Sequence, residues 1–204
     1  MKWSVIIPTL WKSPRIHQLL TDLNTCDEVG EIILIDNAFG EPITLDKVKH
    51  YRLKENIFVN PAWNLGVTLA NNEHIAIIND DVNFSTDVFS WLLTQDYGTC
   101  GMAWENYNIR DKRSYQLFEL KERPYGWGCA IFTSKSDYTM INEMLKIACG
   151  DDWLIKFSKK PMILRGLKIE SEISTTSNLQ EYGHQQYLDN QLWHILSNKT
   201  SVEE

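Results

Sequence analysis

Three short apolar runs, at residues 3–8, 31–35 and 74–78, constrain this chain more than any other feature of its sequence. Residues 3–8 form the first run, which a proline closes. Ser13-Pro14 then predicts a helix start, with serine at the N-cap and proline at the first helical position. Ile16, Leu19, Leu20 and Leu23 follow on one helical face. Residues 31–36 read as a second buried strand stopping at Asp36-Asn37, and residues 48–53 as a third. Residues 61–70 predict a helix with Trp63, Val67 and Ala70 on one side. Residues 74–78 are the fourth strand, and it stops at Asn79-Asp80-Asp81. Continuous apolar strands alternating with helices imply a mostly parallel sheet covered on both faces, so the expected class is α/β.

In such sheets ligands sit at the carboxyl ends of the strands, near the point where strand order reverses. Thr9, Asp36-Asn37 and Asn79-Asp80-Asp81 all follow strands, and three polar clusters at three strand ends predict a binding site there. Residues 100–104 and 115–120 read as further strands. Tyr125-Gly126-Trp127-Gly128 predicts a tight turn leading into a strand over 129–133. Ser136-Asp137 predicts a helix to about residue 149, Gly150-Asp151-Asp152 opens another, and Leu188, Leu192, Ile195 and Leu196 mark a C-terminal helix.

Adjacent carboxylates repel, so Asp80 and Asp81 are most comfortable with a cation between them and a ligand; magnesium and manganese suit such oxygens. The same residues are also ordinary turn chemistry. Asp151-Asp152 at a helix start offers one carboxylate for capping and one as a general base beside Trp153, and a plain N-cap with an acidic first turn is the simpler reading of the pair. His184 follows Gly183 and is a candidate third metal ligand. Trp11, Trp63, Tyr125 and Trp127 lie next to strand ends and turns, where rings stack on a base or a sugar.

Composition removes other classes. The net charge is −7, and residues 1–104 hold 13 acidic but only 7 basic side chains, which argues against charge-driven binding to nucleic acid or membrane. The basic stretch from Lys156 to Lys168 is the one segment suited to a polyanion. No apolar run approaches the roughly 18–20 residues of a membrane span, and the N-terminal run is too short for a signal peptide. Four widely spaced cysteines without a CxxC pair predict reduced thiols and a cytoplasmic location.

In order and spacing these pieces resemble the family 2 glycosyltransferases of the GT-A fold. The resemblance runs through Ser4-Val5-Ile6-Ile7-Pro8-Thr9, Glu31 to Asn37, Asn56, and Asn60-Pro61-Ala62-Trp63-Asn64-Leu65-Gly66, to Ile75 through Val82. The last of these is similar to the DxD segment. The second half matches loosely: Gly126 to Thr133 looks like the acceptor-side strand and Asp151-Asp152 like the acidic ED motif.

The resemblance implies a GT-A-type, Rossmann-like nucleotide-binding fold in a single domain over 1–204. Residues 1–98 would be the nucleotide-sugar half and 99–204 the acceptor half. It implies a Mn2+ or Mg2+ cofactor, a nucleotide-sugar donor (a UDP-sugar first) and transfer with inversion to an acceptor hydroxyl. Pro8, Thr9, Asp36, Asn37, Asn64, Asn79 and Asp80 would bind the donor; Asp81 and Asp80 would hold the metal, to which His184 is added from its place after Gly183 and not from the resemblance. Asp152 would be the base, with Asp151 open as its alternative, and Trp127 and Gly126 would meet the acceptor. Asn79 stands where the motif has its first aspartate, and Asp151 where it has glutamate. A glycan and a hydroxylated base in DNA both remain open as acceptors. The competing readings are a non-catalytic nucleotide- or carbohydrate-binding module of the same fold and a metal-dependent nucleotidyltransferase.

Overall fold

Each of the four strands expected in the first half forms within two residues of its expected bounds. The computed structural model describes residues 1–109, 114–171 and 180–199. Strand β1 (Trp3–Thr9) is followed by α1 (Arg15–Thr25), β2 (Val29–Asp36), β3 (Val48–Arg52), α2 (Val59–Leu69) and β4 (His74–Ile78). Then come β5 (Val82–Phe84), α3 (Val88–Leu92), β6 (Thr99–Met102), β7 (Gln116–Glu119) and β8 (Ala130–Ser134). The chain continues with α4 (Gly150–Phe157), β9 (Pro161–Arg165), β10 (Ile169–Ser171) and α5 (Gly183–Lys199).

The main sheet has the order β3-β2-β1-β4-β8-β6-β9-β7, and β5 pairs with β10 in a small second sheet. β1 runs parallel to β2 and β4, while β8 is antiparallel to both β4 and β6. Side chains alternate between two cores. Val5, Ile7, Ile32, Leu34, Ala76 and Ile78 face one of them, and Ile6, Ile33, Ile35, Ile75 and Ile77 face the other. Each such Val, Ile or Leu side chain contributes about 1.5–3 kcal/mol when fully buried, against about 1 kcal/mol for a helix cap. Ser13 does act at the start of α1, its hydroxyl accepting the Arg15 N–H at 3.2 Å. α2 lies close on β1, because a Cβ on Gly66 would come within 2.3 Å of Ile6 Cγ2.

Two expectations are corrected. Residues 136–149 form no helix but turns and irregular chain, because side chains from elsewhere satisfy that backbone. Asn64 Oδ1 accepts the Ile141 N–H and Asn64 Nδ2 donates to the Ile141 carbonyl. Asp189 accepts the N–H groups of Lys146, Ile147 and Ala148 at 3.2, 2.6 and 2.8 Å. That same tie sets the rotation of α5. Asp189 is buried, Leu192, Trp193 and Leu196 pack on the core, and Leu188 and Ile195 face outward instead. Among the described residues no helix is long and apolar enough to cross a membrane.

Candidate functional site

The chain order turns around β1. The links from β1 to β2 to β3 step one way across the sheet, and β4 then lies on the other side of β1. That switch opens a crevice at the carboxyl ends of β1 and β4. Because β8 is antiparallel to β4 and pairs Ala130 with Ile78, its entrance lies at the same edge. The crevice is a cavity of about 350 Å³.

Pro8, Thr9, Asn37, Asn79, Asp80, Asp81, Gly126 and Asp151 all line this cavity. Thr9 joins the two strand ends: its hydroxyl donates to Asp80 Oδ2 at 2.6 Å and accepts the Trp11 N–H. Ser171 donates to Asp81 Oδ2 at 3.3 Å, and Asp81 is 6% exposed. Burial pushes the Asp80 carboxyl up to about 6; the Thr9 hydroxyl opposes the shift and the charge of Asp81 adds to it. A positive charge beside the pair would oppose that rise. The donor set, two carboxylates lining an open cavity, fits a hard divalent cation that takes its remaining ligands from phosphate and water. Among the described residues no group of three or more His, Cys, Asp or Glu side chains comes together to make a full protein cage.

Across the chain, α4 brings up the second acidic pair. Gly128 keeps the approach open, since a Cβ there would sit 3.1 Å from Asp151 Cβ. Arg123 binds both carboxylates, with Nη1 2.6 Å from Asp151 Oδ2 and Nε 2.9 Å from Asp152 Oδ1. Burial raises the Asp152 pKa, Asp151 adds to this, and Arg123 works against it. Asp151 is on the cavity wall and Asp152 stands one residue behind it.

Five expected site residues lie elsewhere. Asp36 is fully buried and spent on its own loop: Oδ1 accepts the Ala38 N–H, and Oδ2 meets the Gly40 N–H and His50 Nε2. Asn64 is committed to residue 141 and to the Tyr138 hydroxyl. Trp127 is 0% exposed, its Nε1 donating to the Met162 carbonyl. Its ring covers Gly101, where a Cβ would come within 2.4 Å of it, so it cannot stack on an acceptor. His184 is exposed on α5 and Asp152 is held by Arg123, and neither lines the cavity.

Sequence reasoning missed Arg123, Phe58 and Tyr182, all cavity-lining. Phe58 has φ +68° and its ring centroid is 6.2 Å from that of Tyr182, whose hydroxyl accepts from Asn56 Nδ2 at 3.4 Å. A non-glycine residue at such a φ is a strain signal visible only in three dimensions. For Arg123 the one local signal was its place just ahead of Pro124 and the Tyr125-Gly126 turn.

No protein-family profile matches the chain, and no curated protein sequence does. Solved structures do. TarS of S. aureus (residues 1–349) in complex with UDP matches with a TM-score of 0.58 at 17% identity, over 80% of this chain and 57% of that one. The complex of the same protein with UDP-GlcNAc matches at 0.57 and 15% identity, over 80% and 56%. GalNAc-T7 with UDP, GalNAc and Mn2+ matches at 0.55 and 10% identity, over 83% and 43%. The chain thus spans little more than half of the TarS fragment. Strand order, helix placement and these likenesses agree: this chain has the GT-A-type fold of those glycosyltransferases.

Proposed function

We propose that the chain is a metal-dependent glycosyltransferase that moves a sugar from a nucleoside-diphosphate sugar to an acceptor hydroxyl, with inversion at the anomeric carbon. The observation that carries this is one cavity walled by Asp80 and Asp81 at one strand end and by Asp151 at the start of α4. The UDP, UDP-GlcNAc and Mn2+ in the TarS and GalNAc-T7 structures support the choice of donor and cofactor. Asp80 and Asp81 would hold the divalent cation, which when bound offsets negative charge on the diphosphate. The wall of Pro8, Leu10, Asn37, Phe58 and Tyr182 takes the nucleobase and ribose. Asp151 takes the proton of the acceptor hydroxyl. The freed oxygen bonds to the anomeric carbon as that carbon's bond to the diphosphate breaks, and the electron pair leaves with the diphosphate.

Thermal unfolding with nucleoside diphosphates, each with and without Mn2+, tests the donor half. At a hundredfold excess over Kd, one of them raises Tm by about 5–10 °C in a Mn2+-dependent manner. Asp81→Asn removes the Mn2+-dependent part. No shift with any of them removes the reading. Asp151→Asn leaves that shift in place and slows transfer about 10²–10⁴-fold. Asp152 is the second reading for the base, favoured by its raised pKa; if Asp152→Asn abolishes transfer while Asp151→Asn does not, the role passes to it.

A further inference from the structure

Large apolar rings left in water and in contact with one another are a surface waiting to be covered. Two such rings meet at the rim of the cavity. Trp104 is 46% exposed and Tyr125 is 58% exposed; their centroids lie 5.3 Å apart with the planes at 68°. Trp104 opens a 3-10 turn over Trp104–Asn108, directly after β6. Tyr125 comes from the β7–β8 connection and lines the cavity together with Arg123, Gly126 and Asp151.

This corner is built rather than incidental. Gly126 has φ +78°, and a Cβ there would lie 2.8 Å from the Tyr107 hydroxyl oxygen. That hydroxyl donates to the Gly126 carbonyl at 2.9 Å, and the Tyr107 ring lies 5.7 Å from Trp104. One half-buried tyrosine thus fixes the positions of both exposed rings. The local charge selects among possible occupants. Glu105, next to Trp104, pairs with Arg165 at 2.7 Å, and Arg123 is matched by Asp151 and Asp152. With Asp80 and Asp81 in the same cavity, the charges among the described residues here carry an excess of carboxylates, which disfavours a polyanion.

We propose that Trp104 and Tyr125 form an acceptor subsite for a neutral sugar ring, so that the acceptor is a glycan rather than nucleic acid. A pyranose has an apolar C–H face and a hydroxyl rim. The face stacks on one ring, the other ring flanks it at 68°, and the rim is left to reach the Asp151 side of the cavity. The proposal rests on reading the cavity as a nucleotide-sugar site, but its test does not depend on that.

Saturation-transfer NMR on the full chain, with and without UDP and Mn2+, is run against a panel of neutral methyl glycosides and a single-stranded DNA oligonucleotide. At least one glycoside receives saturation at its ring C–H protons. Trp104→Ala and Tyr125→Ala each weaken its binding at least tenfold, Trp104→Phe restores most of it, and UDP binding by Trp104→Ala stays within twofold of wild type. Three outcomes overturn the proposal: no glycoside binds, the alanine variants bind glycosides unchanged, or the oligonucleotide binds and those variants lose it instead. If UDP fails to bind while glycosides do, the donor reading falls and this one stands.

Discussion

At Arg123 one guanidinium faces two carboxylates from a loop 28 residues away in the chain. It holds the Asp151–Asp152 pair together although burial and mutual repulsion favour protonation of Asp152. Arg123→Ala removes the only one of these causes that favours the charged form. The Asp152 pKa therefore rises further, with Arg123→Lys between the two. Carboxyl NMR titration of Asp152 measures this; an unmoved Asp152 titration contradicts it. Neighbouring carboxylates announce themselves in a sequence, but their counter-charge does not. The same holds for Asp36 and Trp127. Both were legible as chemistry-bearing residue types in the right order, and only packing showed that one ties its own loop and the other roofs Gly101.

Among the elements, β2 carries the clearest ionic tie. Glu31 is 4% exposed and accepts from Ser4 Oγ, Lys49 Nζ, the Asn71 N–H and Asn71 Nδ2. It links β1, β2, β3 and the turn before β4. Burial alone would raise its pKa, but Lys49, Ser4 and Asn71 together bring it from 4.5 to about 2. A depressed carboxyl stabilises the folded state fully above its unfolded pKa and loses that contribution as pH falls through the folded value. The stability held by Glu31 is thus present above about pH 4.5 and lost towards pH 2. Glu31→Gln lowers stability at pH 7 by about 1–2 kcal/mol and flattens the loss between pH 4.5 and 2, read by urea unfolding across that range. The strands themselves were legible because runs such as 31–36 and 74–78 need both faces covered. Residues 136–149 were misread because a capping pair and scattered apolar residues look helical. Asn64 and Asp189, far along the chain, supply the hydrogen bonds that a helix would otherwise make.

For the whole molecule the decisive tie is Asp189, 1% exposed on α5 and bonded to three consecutive N–H groups of the cavity-bordering loop. Asp189→Ala leaves those donors buried and unsatisfied, at about 1–3 kcal/mol each before relaxation. Since Ile147 lines the cavity, the variant both unfolds at lower urea and binds UDP–Mn2+ more weakly. Hydrogen exchange at residues 146–148 rises first, and unchanged protection there contradicts the tie.

Residue order alone determined the α/β class, the parallel strands β1 to β4, and the gathering of Thr9, Asn37, Asn79, Asp80 and Asp81 at one edge. Each follows from short-range periodicity and from the rule that parallel strands end on the same side. Folding in three dimensions decided which polar groups remain turned to that edge and which are consumed in loops. It also brought Arg123 to Asp151, Tyr182 to Phe58 and Trp104 to Tyr125. Such pairings join segments far apart in the chain or set ring against ring by packing, and side-chain spacing along a strand or helix carries no information about either.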